Sequence, residues 1–322
     1  MFYLSLIVLI ISLILLSPFL IRIFNWLLDP VLSSRRDPSP LSYQPKYIDT
    51  KTQTSQLFPS LLLNDSSLIL SIIIPAYNEE LRISSMIEAT LKFFNNKKTL
   101  DSKFNYELII VDDGSKDSTF NVAMKYSELY GSDLIRVMKL SQNQGKGGAV
   151  QQGMLHARGE LLLMADADGA TEISDYNKLE KSLQMIKNSF NDGISIGSRA
   201  HLAESSTVSR AWYRTVLMHG FHFLVSSLCV RSIRDTQCGF KLFTRTTAKK
   251  LFPIQHLRRW CFDVELLFIA QKLNIPISEI SVKWEEIPGS KLQIIESSLL
   301  MARDLIIIRA AYATKFWTME QK

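Results

Sequence analysis

Asp166 and Asp168 follow a run of five uncharged residues, Leu161, Leu162, Leu163, Met164 and Ala165. Such a run reads as a strand buried on both faces, with the carboxylates placed where it emerges into solvent. In extended backbone, residues i and i+2 project to one side. The two acids therefore converge on one point, Ala167 turns away and Gly169 lets the chain bend sharply. Converging carboxylates at the carboxyl end of a buried strand suit a hard divalent cation shared with an anionic ligand. The same residues also fit a plain turn, in which Asp168-Gly169 ends the strand and Ser174 or Asp175 starts the next helix.

Two further apolar runs end in polar residues. Ser71-Ile72-Ile73-Ile74 passes through Pro75, Ala76, Tyr77 and Asn78 to Glu79 and Glu80, and Leu108-Ile109-Ile110-Val111 runs into Asp112-Asp113-Gly114-Ser115. Acidic strand ends side by side in one parallel sheet would build a polar cleft, with room for a ribose and base at one side and a metal diphosphate at the other. Between Arg199 and Arg259 there are 11 Lys or Arg against Glu204 and Asp235, a local +9 beside +6 for the whole chain. An anion is expected to meet this stretch. Nucleic acid is not the expected partner, because no reader motif is present.

The elements that must position these residues alternate along the chain. Residues 68–74, 106–111, 134–140, 160–165 and 194–197 read as short buried strands, and 79–94, 118–130, 147–157 and 174–188 have helical spacing. Alternation of this kind implies a mostly parallel sheet with helices on both faces, and ligands on such sheets bind beyond the carboxyl ends of the strands. Phe2 to Ile21 carries no charge, enough helix to cross a bilayer core of about 30 Å. Arg22, Trp26, Arg35 and Arg36 follow directly, with no small-x-small cleavage site, so a retained anchor is expected with the body of the protein cytoplasmic. Residues 30–67 read as a surface tether. Residues 211–230, interrupted by Arg214, His219 and His222, and the stripe Leu292, Ile295, Leu299, Ala302, Leu305 and Ile306 fit either a membrane interface or ordinary packing. Cys229, Cys238 and Cys261, an odd number without C-x-x-C spacing, fit a reducing compartment.

From about Leu68 to Lys291 the chain resembles the inverting family 2 glycosyltransferases, and in detail their polyprenyl-phosphate branch. The resemblance rests on the three strand ends, on Asn143-Gln144-Gly145-Lys146-Gly147-Gly148-Ala149, on Asp235-Thr236-Gln237-Cys238-Gly239-Phe240-Lys241-Leu242-Phe243 and on Arg258-Arg259-Trp260-Cys261-Phe262-Asp263-Val264-Glu265. It implies a Rossmann-like GT-A fold with an N-terminal transmembrane helix and C-terminal amphipathic helices. The implied divisions are 1–28 anchor, 29–67 tether, 68–255 catalytic core and 256–322 acceptor and membrane-interface region. Pro75, Tyr77, Glu79, Asp112, Asp113, Lys146 and Asp166 would hold the donor, and Asp166 and Asp168 would form a D-x-D site for Mg2+ or Mn2+. Asp263, with Asp168, would stand at the catalytic position, either as the catalytic acid of related enzymes or orienting the substrate or a basic residue, with Asp235 the rival for that place. The implied substrates are UDP-glucose and dolichyl phosphate, giving a lipid-linked glucose for N-glycosylation at the endoplasmic reticulum membrane. GDP-mannose is the alternative donor, and a tethered protein that binds a nucleotide sugar without turnover is the alternative of another class. Polysaccharide synthases of the family carry Q-x-x-R-W; here Gln255 to Trp260 has one residue too many, which argues against a polymerase.

Charge supports a lipid phosphate as acceptor. A phosphate monoester has a second pKa of about 6 and already carries an ionised oxygen at neutral pH, so a general base is optional. Its repulsion from the donor diphosphate must be offset by cations, and Arg199, Arg231, Arg234 and Lys241 are the candidates in the basic stretch.

Overall fold

A computed structural model of the chain describes residues 21–32, 40–201, 220, 224–285, 287 and 294–319. The apolar runs form the strands expected of them: β3 (Leu68–Ala76), β4 (Tyr106–Asp112), β5 (Ile135–Lys139), β6 (Gly159–Ala165) and β7 (Ile194–Ser198). Two strands are not evident in the sequence pattern, β8 (Phe240–Thr244) and β9 (Ile277–Ser281). The sheet order is β5-β4-β3-β6-β8-β7-β9. Neighbours are parallel except at β8, which runs antiparallel to both β6 and β7. The edge strand β9 comes from the C-terminal 256–322 segment, which therefore contributes to the central sheet as well as flanking it.

The helices are α1 (residues 21–32), α2 (Ile83–Leu100), α3 (Thr119–Tyr130), α4 (Lys146–Leu155), α5 (Tyr176–Ile186), α6 (Arg245–Leu251), α7 (Phe262–Lys272) and α8 (Ile294–Ala313). Alternate strand residues serve opposite faces. Ile72, Ile74 and Leu163 pack with Phe94 of α2 and Leu179 of α5, whereas Ile73, Leu162 and Met164 pack with Met154 of α4, Phe268 of α7 and Ile308 of α8. Burial on both faces is why these strands are continuously apolar.

The expected tether is partly built into the domain. Within it β1 (Lys46–Asp49) and β2 (Thr54–Leu57) form an antiparallel hairpin, followed by Phe58 and Leu61, both buried. Among the described residues no helix is long and apolar enough to cross a membrane; the span expected over Phe2 to Ile21 lies, but for Ile21, outside them. The stripe expected on α8 is only partly inward. Leu305, Ile308 and Ala311 are buried, but Leu299 and Ile306 are 61% and 54% exposed. The reason is that α8 is apolar around most of its circumference, so spacing alone does not select the inward face, which also carries the buried pair Arg303–Asp304 at 2.7 Å. Leu292 and, of the expected 211–230 segment, residues 211–219 and 221–223 lie outside the described residues.

The amino end of the sheet is closed by charge. Glu107 of β4 is fully buried and accepts from Ser71 Oγ at 2.6 Å, Arg136 Nε at 3.0 Å, and Arg158 N and Nε at 2.9 Å each. The Arg136 guanidinium lies 4.7 Å from the Phe58 ring, which ties the hairpin segment to this network. Burial alone would raise the Glu107 carboxyl, but Arg136 and Arg158 outweigh it and hold it below its ordinary range. A depressed carboxylate stabilises the fold above the unfolded value, and that contribution is lost as pH falls through the folded one. Glu107→Ala leaves two arginines without their partner and is expected to cost about 3–5 kcal/mol at neutral pH. Urea unfolding at pH 7 and pH 4 checks this: the gap to the parent should narrow at pH 4, and a gap below about 1 kcal/mol at pH 7 would contradict the assignment.

Candidate active site

The three strand ends meet along one edge. Ala76 of β3 is paired in register with Asp112 of β4, and β6 delivers Asp166 on the other side of β3. Beyond them lies a cleft of about 530 Å3 lined by Pro75, Tyr77, Glu79, Asp113, Lys146, Asp166, Asp168, Arg199 and Asp263 among others. Most residues singled out from the sequence are therefore together. Asp112 stands behind the lining, fully buried, with Oδ1 accepting from Ser115 N at 3.3 Å.

Asp113 organises the glycine-rich loop. Its carboxylate accepts from Gln144 N at 2.7 Å and Gly145 N at 2.9 Å. Burial, with Asp112 adding to it, pushes this carboxyl up to about 6 against the pull of those two N–H groups. Gly145 has φ +88°, and a Cβ there would lie 2.6 Å from Arg258 O. Gly148 N donates to the same oxygen at 2.9 Å. The loop thus packs backbone to backbone on the Arg258–Asp263 segment, a contact between two motifs that sequence spacing does not reveal.

Carboxylates and ammonium groups alternate across the floor. Lys146, first residue of α4, lies 2.7 Å from Asp166 Oδ1. Burial works to lower its pKa, but Asp166 and Asp263 more than compensate and raise it. Deeper in, Lys241 of β8 lies 2.7 Å from Asp263 Oδ1, with side chains only 1% and 4% exposed, and donates to Cys238 O at 2.6 Å. Burial raises the Asp263 carboxyl despite Lys241 and Lys146. Asp263 sits in the first turn of α7, where a carboxylate also meets the positive end of the helix dipole.

Asp166 and Asp168 fit a divalent cation. Both offer hard oxygen donors to the cleft, and Asp166 keeps 32% of its side chain exposed. Asp168 is raised by burial and then by Asp166, a like-charge conflict that a cation relieves. Among the described residues no group of three or more His, Cys, Asp or Glu gathers as a metal cage, so the remaining ligands would come from substrate and water. Space for this pair depends on β8: a Cβ on Gly239 would lie 1.9 Å from Asp166 Oδ2.

The four cations expected to bind the acceptor phosphate separate. Arg199 lines the cleft, clamped by Asp235 at 2.7 and 2.9 Å with its guanidinium 5.5 Å from the Trp284 ring. Lys241 is buried against Asp263 and does not reach solvent. Arg231 lines a different hollow. Arg234 is absent from the cleft lining, its backbone N donating to Glu279 Oε2 at 2.8 Å. In their place the structure brings Arg82 and Arg259 to the cleft, with Trp260, Trp284, Ile287 and Met301 on an apolar flank. Arg82 pairs with Glu79 at 2.7 Å. Arg259 and Trp260 belong to the Arg258–Glu265 motif, whereas Trp284, Ile287 and Met301 meet only through tertiary packing. Glu265 holds structure together away from the cleft. It accepts from His256 N, Leu257 N and Tyr312 Oη at 2.7–3.0 Å, joining α7 to α8.

An α/β sheet with nucleotide-side acids, a D-x-D pair and a basic-apolar flank has the layout of a GT-A glycosyltransferase. The model of glycosyl transferase family 2 matches residues 71–252, and the chain belongs to that family. Among its relatives, proteins named dolichyl-phosphate beta-glucosyltransferase from Dictyostelium discoideum, Drosophila melanogaster and Homo sapiens are 50%, 54% and 53% identical. The matches cover 88%, 84% and 78% of this chain and 88%, 83% and 78% of the relatives. Solved structures similar in fold include glucosyl-3-phosphoglycerate synthase from Mycobacterium tuberculosis in complex with UDP, at TM-score 0.53 and 17% identity over 77% of this chain and 81% of that one. Mannosyl-3-phosphoglycerate synthase from Rubrobacter xylanophilus also has TM-score 0.53, at 15% identity over 79% and 76% of the two chains. These two likenesses concern the fold alone.

Gly239→Ala should push Asp166 off its position while leaving the β8 ladder paired. Transfer activity is expected to fall at least tenfold with an unchanged far-ultraviolet circular dichroism spectrum. Parental activity in this variant would show that Asp166 needs no such clearance.

Proposed function

We propose that this chain transfers glucose from UDP-glucose to dolichyl phosphate with inversion, giving dolichyl β-D-glucosyl phosphate, a lipid-linked donor for N-glycosylation. It would act at the endoplasmic reticulum membrane, held by the Phe2 to Ile21 span with the cleft on the cytoplasmic side. The observation that carries this reading is one cleft whose lining divides by chemistry into two halves: acids with a glycine-rich loop, and Arg199 and Arg259 with the apolar side chains of Trp260, Trp284, Ile287 and Met301. The first half suits a nucleoside diphosphate sugar and the second a phosphate bearing a lipid tail. The names of the relatives, at 50–54% identity, favour glucose and dolichyl phosphate over the mannose alternative.

On the donor side, Pro75, Tyr77, Glu79 and Asp113, backed by the buried Asp112, would position the nucleoside, and Lys146 would lie beside the diphosphate. Asp166 and Asp168 would hold Mg2+ or Mn2+, which when bound neutralises charge on the departing diphosphate. On the acceptor side, Arg199 and Arg259 would meet the lipid phosphate. Arg259 has no ion-pair partner among the described residues and lines the cleft. A phosphate oxygen forms the new bond to the anomeric carbon as the bond from that carbon to UDP breaks, the electron pair leaving with UDP. The phosphate dianion brings no proton to remove. Asp263 is engaged by Lys241 at 2.7 Å, a contact that fits an orienting role better than proton abstraction.

The test uses purified full chain, Mg2+ or Mn2+, dolichyl phosphate and radiolabelled donor, with organic-phase counts as readout. UDP-glucose should give lipid product and GDP-mannose should not, chelation should stop transfer, and Asp166→Asn or Asp168→Asn should lower kcat by about 100-fold or more. Product from GDP-mannose alone would reverse the donor assignment. No product from either would leave a nucleotide-sugar-binding protein.

A further inference from the structure

Arg231 leads to a second feature of the molecule. It lines a hollow of about 290 Å3 together with Lys272 of α7 and Arg309 of α8. Small-molecule sites begin at about 300 Å3. Among the described residues that line it are three cations, the hydroxyls of Ser226 and Ser227 and the amide of Gln271, and no Asp or Glu. Among the described residues, none of the three cations forms an ion pair. Within the basic stretch, by contrast, Arg199 pairs with Asp235 and Lys241 with Asp263.

The hollow is also built. Gln271 accepts from Arg231 N at 3.2 Å and donates to Arg231 O at 2.7 Å, so both ends of its amide fix that backbone against α7. The Lys272 ammonium lies 5.7 Å from the Phe268 ring. Cys229 Sγ contacts Leu305 O at 3.5 Å, which joins the segment before Arg231 to α8. Dipole compensation accounts for Lys272, the last residue of α7. It does not account for Arg309, since the last turn of α8 carries no basic residue, nor for Arg231, which lies outside any helix.

The surroundings indicate what would bind. On α8, Arg309 follows Ile306 by three residues and Leu299 by ten, one exposed stripe at helical spacing. α1 continues from the uncharged Phe2 to Ile21 run and docks on the same helix: Arg303 donates to Trp26 O at 3.0 Å and lies 5.1 Å from its ring. Six residues along α8 from that contact, about 9 Å at helical rise, stands Arg309. A basic hollow beside exposed apolar side chains, on the helix against which α1 docks, matches a headgroup phosphate lying at the lipid surface.

We propose that the hollow bounded by Arg231, Lys272 and Arg309 binds the phosphate headgroup of an anionic membrane lipid, apart from the transfer cleft. The choice of a lipid source rests on the reading of Phe2 to Ile21 as a membrane span. The binding chemistry rests on the hollow alone.

Detergent-solubilised full chain is examined by native mass spectrometry with phosphatidic acid, phosphatidylcholine or inorganic phosphate added. The parent should retain phosphatidic acid, and Lys272→Gln with Arg309→Gln should weaken retention about 30-fold, near a fivefold loss for each cation removed. Lys272→Arg with Arg309→Lys should keep it. Phosphatidylcholine should bind the parent and the glutamine variant alike. Formation of lipid-linked glucose by the glutamine variant, within twofold of the parent, shows that it is folded, and the binding readout stays separate from the transfer assignment. Equal retention of phosphatidic acid by parent and glutamine variant would overturn the site. Displacement of phosphatidic acid by equimolar inorganic phosphate would overturn its assignment to lipid.

Discussion

Lys241 and Asp263 sit 2.7 Å apart with almost no exposed surface. Removing such ions from water costs several kcal/mol each, so neither is tolerable without the other. Much of the cleft is arranged around that pair. β8 runs antiparallel between β6 and β7 and carries Lys241 across from the start of α7, while its neighbour Gly239 leaves room for Asp166. The Arg258–Asp263 segment that brings Asp263 into place is gripped by Gly145 and Gly148, and their loop is pinned by Asp113. The two sides proposed for donor and acceptor are therefore one mechanical unit.

The parallel half of the sheet is legible because burial on both faces demands unbroken apolar runs. The acid pair is legible because the i, i+2 relation in a strand is fixed by backbone geometry. β8 is not, since Phe240-Lys241-Leu242-Phe243-Thr244 carries a lysine within it, whose burial depends on the carboxylate from α7 and the Cys238 carbonyl. β9, Ile277-Ser278-Glu279-Ile280-Ser281, is as polar as a surface loop. Counting charge failed for a related reason: a census treats every cation as available. Arg245 spends its guanidinium on the carbonyls of Leu61, Asn64, Ala157 and Gly159, Lys250 pairs with Asp192, and Lys241 is buried. Of the described residues of that stretch, Arg199 and Arg259 line the cleft.

That redistribution sharpens the chemistry. A transferase acting on a sugar hydroxyl needs a carboxylate free to accept a proton, and the acid best placed here already faces a lysine. An acceptor that arrives ionised needs cations and an apolar approach, and the flank formed by Arg199, Arg259, Trp260, Trp284 and Met301 offers both. Trp284 owes its place to the turn after the acid pair, where it bridges Thr171 and Glu285 N donates to Ala170 O at 2.9 Å. The turn that carries the proposed metal site and the proposed acceptor wall thus support each other.

The central claim is that the acceptor supplies its own ionised oxygen and Asp263 takes no proton. Its most direct test is the pH dependence of kcat/KM for the acceptor, with UDP-glucose saturating so that Asp113 does not report. Dolichyl phosphate is compared with a phosphonate analogue of higher second pKa, in the parent and in Asp263→Asn. An acid limb that moves with the acceptor's pKa, and keeps its position in the slower Asp263→Asn enzyme, is the expected result. A limb that stays fixed when the acceptor changes but is lost in Asp263→Asn would contradict the claim and make Asp263 the base.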